Sequence, residues 1–203
     1  MFTGIIQDTA TIILIKRYKN FLHWIIKLHS IDVQTLTLGS SLACNGCCLT
    51  IKTIQNSEIS LDIVQETLRI TNLGCLNEGQ RINVERSVRL GEEIGGHLVS
   101  GHILTIAKIF QIVVSDYNRE LWIQFYDYNF MKYIFYKGFI CIDGISLTIG
   151  NIKKNMFCVF LIPETISNTT IGTKKVGDTV NLEIDYFTKL IVDSIEKIML
   201  KDL

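Results

Sequence analysis

The 203-residue chain carries 20 lysines and arginines against 20 aspartates and glutamates, so its net charge is zero. Its basic residues are scattered without a stripe, which gives nucleic acid no electrostatic footing. No window of about 18 residues is both apolar and uncharged, which argues against a membrane-spanning helix. The N-terminus opens directly into patterned sequence, with no charged stretch ahead of an apolar one. A signal peptide is therefore not expected, and the chain reads as soluble and cytoplasmic. Thr9 to Ile15 and Phe21 to Leu28, rich in Ile, Thr and aromatics, predict short strands. Ser57 to Ile63 alternates polar and apolar residues, which puts one face of a strand on a core. A short helical piece follows at Gln65 to Leu68. Arg81 to Glu85 alternates again, and Leu121 to Phe125 reads as a further strand. Asn129 to Tyr136 reads as a second short helix, and Thr179 to Ile184 as another alternating strand. Glycines punctuate these segments at Gly39, Gly46, Gly79, Gly91, Gly138, Gly144, Gly150 and Gly177.

The chain repeats itself at an offset of 97 or 98 residues. Phe2-Thr3-Gly4 meets Val99-Ser100-Gly101, and Cys48-Leu49-Thr50 meets Ser146-Leu147-Thr148. Gln65-Glu66-Thr67 meets Pro163-Glu164-Thr165, and Asn83-Val84-Glu85 meets Asn181-Leu182-Glu183. A period this long marks a domain duplication rather than a solenoid unit. We divide the chain at 1–97, 98–187 and 188–203. Each half holds about six strands, so the expected class is all-β, with each half a small closed antiparallel barrel that leaves no sheet edge exposed. A two-sheet sandwich is the other arrangement this pattern permits.

The last segment has no counterpart after the first half. Leu190, Ile191, Ile195, Ile198 and Met199 form an apolar stripe, with Asp193 and Lys197 as an i,i+4 pair opposite it. Ile191, Ile195 and Ile198 have the spacing of a coiled-coil seam. This favours a self-association helix over one packed only on its own barrel.

There are six cysteines. Cys44, Cys47 and Cys48 resemble half a metal site, but no second pair lies at zinc-binding spacing. Cys44, Cys75, Cys141 and Cys158 read as small buried apolar residues. His97 and His102 flank a glycine-rich junction, where a histidine could move protons near neutral pH. His23 and His29 read as structural. Asn45-Gly46 and Asp143-Gly144 predict type I′ hairpin turns. After each turn, Cys48 and Thr50, or Ser146 and Thr148, share one strand face. Asp62 to Thr67 and Leu161 to Ile166 read as strand ends entering helical turns, with Thr67 and Thr165 as candidate caps. Asp185 stands where the first copy has Ser87, which breaks the symmetry.

Taken in order, these motifs resemble the riboflavin synthase family, the type built from two lumazine-binding repeats. The match covers essentially the whole chain. The resemblance implies two six-stranded Greek-key barrels and a C-terminal helix that assembles a homotrimer. It implies that two molecules of 6,7-dimethyl-8-ribityllumazine exchange a four-carbon unit, with no metal or organic cofactor. It assigns chemistry to Phe2, Ser41, Cys48, His102, Ser146 and Asp185. It lines an N-terminal lumazine site with Gly4, Ile5, Ile6, Cys48, Leu49 and Thr50, and with Asp62, Ile63, Val64, Gln65, Glu66 and Thr67. It lines a C-terminal one with Gly101, His102, Ile103, Lys137, Ser146, Leu147 and Thr148, and with Ile162, Pro163, Glu164, Thr165, Ile166 and Ser167. An association with lumazine synthase also belongs to this expectation. The competing readings are a non-catalytic lumazine or flavin carrier on the same fold, and a plain structural trimerisation protein. Fold alone does not separate them.

Overall fold

The structure, a computed structural model, describes residues 1–115 and 118–200. Residues 201–203 of the expected C-terminal segment lie outside the described residues. Period-two alternation does close two barrels. The first contains β1 (Asp8–Arg17), β2 (Phe21–Lys27), β3 (Ser41–Cys44), β4 (Cys47–Gln55), β5 (Glu58–Val64) and β6 (Arg81–Arg86). The second contains β7 (Thr105–Val114), β8 (Arg119–Phe125), β9 (Phe139–Ile142), β10 (Ile145–Lys153), β11 (Met156–Leu161) and β12 (Thr179–Ile184). Neighbour order around the first is β1-β2-β5-β4-β3-β6, and the second repeats it as β7-β8-β11-β10-β9-β12. Every pairing is antiparallel. The strands bend at matching places, with register breaks at Ile12/Leu14 and Ile51/Thr53 in one copy and Ile109/Gln111 and Ile149/Ile152 in the other. Such bulges supply the curvature that a small barrel needs. One barrel is filled by residues such as Trp24, Ile26, Leu42 and Leu61, and the other by Phe125, Ile140, Phe157 and Leu182.

Both expected turns form. Asn45 and Gly46 have φ of 43° and 78°, and Asp143 and Gly144 have 46° and 86°, as a type I′ turn requires. The two turns meet where the barrels touch. A Cβ on Gly46 would stand 2.6 Å from the Gly144 nitrogen, so the backbones pack at a distance only glycine permits. Asn83 Nδ2 donates to the Asp143 carbonyl and Asn181 Nδ2 to the Asn45 carbonyl, each at 2.9 Å. These buried amides tie the copies together around a pseudo-twofold axis.

Several local expectations need correction. Thr67 and Thr165 do not cap the helices α1 (Gln65–Ile70) and α2 (Pro163–Asn168), whose N-caps make no side-chain hydrogen bond. Thr71 and Thr169 cap the 3₁₀ turns that follow instead. The expected helix over 129–136 is a 3₁₀ turn, Tyr128–Tyr133. Cys75 is exposed at the end of the Asn72–Cys75 turn, whereas Cys44, Cys141 and Cys158 are buried. The C-terminal helix α3 spans Tyr186–Met199 and begins two residues before the expected Thr188. On it Asp193 pairs with Lys189 rather than Lys197, and the Tyr133 hydroxyl and Lys132 converge on the same carboxylate. No helix among the described residues is long and apolar enough to cross a membrane.

Candidate active site

Each copy sends its leading segment across to the other barrel. Phe2 and Val99 form an antiparallel bridge, with N–H to carbonyl distances of 2.7 and 3.0 Å. Beyond it, the Gly101 carbonyl accepts from the Cys48 amide and the Gly4 carbonyl from the Ser146 amide, both at 2.8 Å. Ile103 packs into the core of the first barrel and Ile6 against the core of the second. The grouping implied by the resemblance is therefore crossed. Gly4, Ile5 and Ile6 lie beside Ser146, and Gly101, His102 and Ile103 lie beside Cys48. Glycine is needed at the contacts, since a Cβ on Gly4 would come within 2.6 Å of Ser146 Cβ, and one on Gly101 within 2.6 Å of Cys48 Cβ.

What we call the first groove is the outer face of the first barrel around Cys48, equivalent by repeat to the cavity on the second. Leu49 points into the core, so its neighbours Cys48 and Thr50 point out. Ser41 sits opposite Thr50, and Ala43 opposite Cys48. On β5, Asp62 and Val64 face outward while Ile63 is core. Asp62 accepts from Lys52 at 2.6 Å and bonds to His23 at 2.7 Å. Partial burial would raise this carboxyl, but Lys52 and His23 outweigh it and hold Asp62 below its ordinary range. His102 is exposed, and its amide donates to Ser100 Oγ.

The second groove is a cavity of about 390 Å³ lined by Lys137, Ser146, Leu147, Thr148, Ile162 and Thr165 from the expected set, and by Ile149, Gly150 and Phe160. Repeat equivalence makes the contrast plain. Cys48 becomes Ser146, Ser41 becomes Phe139, and the ionic Lys52–Asp62 pair becomes Gly150 and Phe160. A Cβ on Gly150 would meet the Phe160 ring at 2.8 Å, so that ring lies close over the glycine. One groove offers a thiol and an ionic row, the other a hydroxyl and an aromatic wall.

The sequence offers His97 and His102 together as proton carriers, and the resemblance assigns chemistry to His102 alone. In the structure His97 is buried, stacks on Phe139 with ring centroids 5.0 Å apart, and places Nδ1 2.7 Å from Ser146 Oγ. Burial holds His97 below the ordinary histidine range, against the charge of Asp185, which favours the protonated form. The unfolded chain therefore binds more protons, and the fold loses stability as pH falls below the unfolded value of about 6.5. His97→Gln, compared with the parent by urea unfolding across that range, is expected to flatten this loss. An unchanged acid limb would remove His97 as its source.

The other expected residues fall less centrally. Phe2 is fully buried with Ala43, Val99 and Cys141, where it supports Cys48 instead of facing a groove. Asp185 caps α3, accepting from the Thr188 amide and hydroxyl at 2.8 Å each. Glu66 pairs with Arg69, and Gln65 uses its amide on the Asn20 carbonyl. Pro163, Glu164 and Ser167 are exposed on α2, and Ile166 packs on the core of the second barrel. A larger cavity, about 480 Å³, lies between the barrels and is lined by Asn72, Arg81, Thr170 and Lys174 but by none of the expected residues.

The lumazine binding domain family matches residues 3–87 and again 100–185. A riboflavin synthase of Buchnera aphidicola subsp. Baizongia pistaciae is 51% identical over 199 residues, covering 98% of this chain and 94% of that protein. The riboflavin synthase of Escherichia coli strain K12 is 49% identical, covering 98% of this chain and 93% of that protein. Among solved structures, LumP complexed with riboflavin has a TM-score of 0.83 at 25% identity, covering 91% of this chain and 100% of that one. LumP complexed with 6,7-dimethyl-8-(1'-D-ribityl) lumazine has a TM-score of 0.82 at 23% identity, covering 91% and 99%.

Proposed function

The chain belongs to the riboflavin synthase family, and we propose that its grooves around Cys48 and Ser146 each hold one 6,7-dimethyl-8-ribityllumazine. Its activity is the dismutation of that compound, in which one molecule becomes riboflavin and the other 5-amino-6-ribitylaminouracil. The observation that carries the site assignment is the pair of grooves, equivalent by repeat yet different in chemistry. Two copies of one substrate must play opposite parts, as donor and as acceptor of the four-carbon unit. A symmetric pair of sites would give neither molecule a reason to do so.

The C7 methyl of the lumazine is acidic because its anion delocalises into the ring, and His102 can accept the proton that this methyl loses. The partner molecule takes a nucleophile at C7, either water or Cys48, held by Ser41 or Ser146. Opposed stacking of the two rings supplies proximity. By this reading the working site forms where the first barrel of one subunit faces the second barrel of a neighbour in a homotrimer. The exposed stripe of Ile191, Ile195 and Ile198 on α3 supports that assembly. The divisions at 1–97, 98–187 and 188–203 follow from the repeat. A cytoplasmic location and a contact with lumazine synthase belong to the same reading as consequences of the family assignment. The carrier alternative is disfavoured, because relatives near 50% identity are named riboflavin synthase.

The test is to incubate the purified protein with 6,7-dimethyl-8-ribityllumazine and a chelator and to follow riboflavin absorbance. We expect one riboflavin for every two lumazines consumed. Tight binding without product would move the chain to the carrier class.

A further inference from the structure

Of the three buried carboxylates that join no ion pair among the described residues, Asp8, Glu85 and Glu183, the last two stand at equivalent places in the two copies. Glu85 on β6 and Glu183 on β12 are 2% and 4% exposed. A buried carboxylate is costly unless several donors satisfy it. Glu183 has three: its Oε1 accepts from the Ser100 amide at 2.6 Å and the Ser100 hydroxyl at 2.7 Å, and its Oε2 from the Gly101 amide at 2.9 Å. Glu85 holds Thr3 and Gly4 in the same way, at 2.7, 2.7 and 3.0 Å. Each carboxylate thus grips the segment that its copy sends across to the other barrel. Hydrogen bonds to a charged acceptor are the strong ones, so the grip fixes direction as well as place.

What the two segments carry beyond the grip differs. The Ser100 hydroxyl donates to Glu183 and, with its lone pair so directed, accepts from the His102 amide at 3.1 Å. The Thr3 hydroxyl does the same for the Ile5 amide at 3.4 Å. In one copy the relay ends on the backbone amide of a histidine, in the other on the backbone amide of an isoleucine. The clamp is the same in both copies, and what differs is the side chain of the residue it holds. We propose that Glu183 is a positioning residue for the dismutation, acting through the Ser100 hydroxyl to aim His102 into the first groove. The proposal rests on reading that groove as a lumazine site.

Ser100→Ala cuts the relay and leaves Glu183 its two backbone donors, and Glu183→Gln is read beside it. Each is compared with the parent by thermal unfolding, kcat and KM. Misaiming a proton carrier by a fraction of an ångström costs turnover more than binding, so Ser100→Ala is expected to lower kcat about tenfold with KM nearly unchanged. Ser100→Thr, which reproduces the hydroxyl present at Thr3 in the other copy, should restore most of the rate. In a His102→Ala background, Ser100→Ala should cost nothing further. An equal loss in both backgrounds, or a normal Ser100→Ala beside a slow His102→Ala, overturns the positioning role and leaves the groove intact. A His102→Ala protein with the parent's rate overturns the positioning role too, whereas a Thr50→Trp protein that keeps the parent's rate and lumazine affinity overturns the groove reading itself.

Discussion

Gly101→Ala is expected to lower lumazine turnover about a hundredfold and to destabilise the fold by about 2–5 kcal/mol. Gly101 has φ of +82°, a conformation that costs an alanine about 1–2 kcal/mol. The added Cβ would stand 2.6 Å from Cys48 Cβ, 2.9 Å from the Phe2 ring and 3.0 Å from the Cys48 nitrogen. None of these can move cheaply. Cys48 lies in a paired strand, and Phe2 is fully buried at the bridge between the copies. The crossing segment must shift instead, taking His102 with it and breaking the bond from the Cys48 amide to the Gly101 carbonyl. Gly79→Ala is the control, since Gly79 has φ of +85° but nothing within 4 Å of an added Cβ. It should show the conformational cost alone, with turnover preserved. The measurement is urea unfolding with steady-state rates on both variants. Equal effects would mean that the contact at Cys48 does not shape the groove.

The parts of this molecule that were legible in sequence are those set by neighbours along the chain. The Asn45-Gly46 and Asp143-Gly144 turns are visible because φ is positive at both turn residues and few residue types tolerate it. The alternating strands β5, β6 and β12 are visible because one side of each faces a core. The four-residue strands Ser41–Cys44 and Phe139–Ile142 are too short to show a period. The crossing of the leading segments is invisible for a different reason. Both copies carry the same Phe/Val-Thr/Ser-Gly motif, so exchanging their targets leaves the sequence pattern unaltered. His97 and His102 likewise offer the same residue type in one glycine-rich run. The signal that separates them is Gly96, whose Cβ would stand 2.2 Å from the Thr3 carbonyl and 2.6 Å from Ser146 Cβ. That demand for closeness places His97 against the second groove, but it can be read only once the barrels are docked.

Ile195→Asp is expected to leave both barrels folded and to lower turnover about a hundredfold at low protein concentration, by removing a neighbour from the site. One side of α3 is already committed to its own subunit. Val192 packs against the core of the second barrel, the Tyr133 hydroxyl donates to Asp193, and Lys132 pairs with Glu196. The other side carries Leu190, Ile191, Ile195, Ile198 and Met199, all between 49% and 65% exposed. A continuous exposed apolar stripe marks a contact surface, and here none of the described residues of the subunit covers it. A carboxylate at Ile195 would meet water in the monomer, so the unfolding free energy should change by only about 0.5 kcal/mol. In an assembled seam the same carboxylate would be desolvated beside its symmetry mates, which is strongly unfavourable. If the parent is the trimer proposed above, sedimentation should therefore show the variant as a monomer, with its rate rising steeply as protein concentration rises. If Ile195→Asp still sediments as a trimer, the stripe is not the seam. If it sediments as a monomer with full activity, the two lumazines react within one subunit, and the grooves must be paired along a single chain.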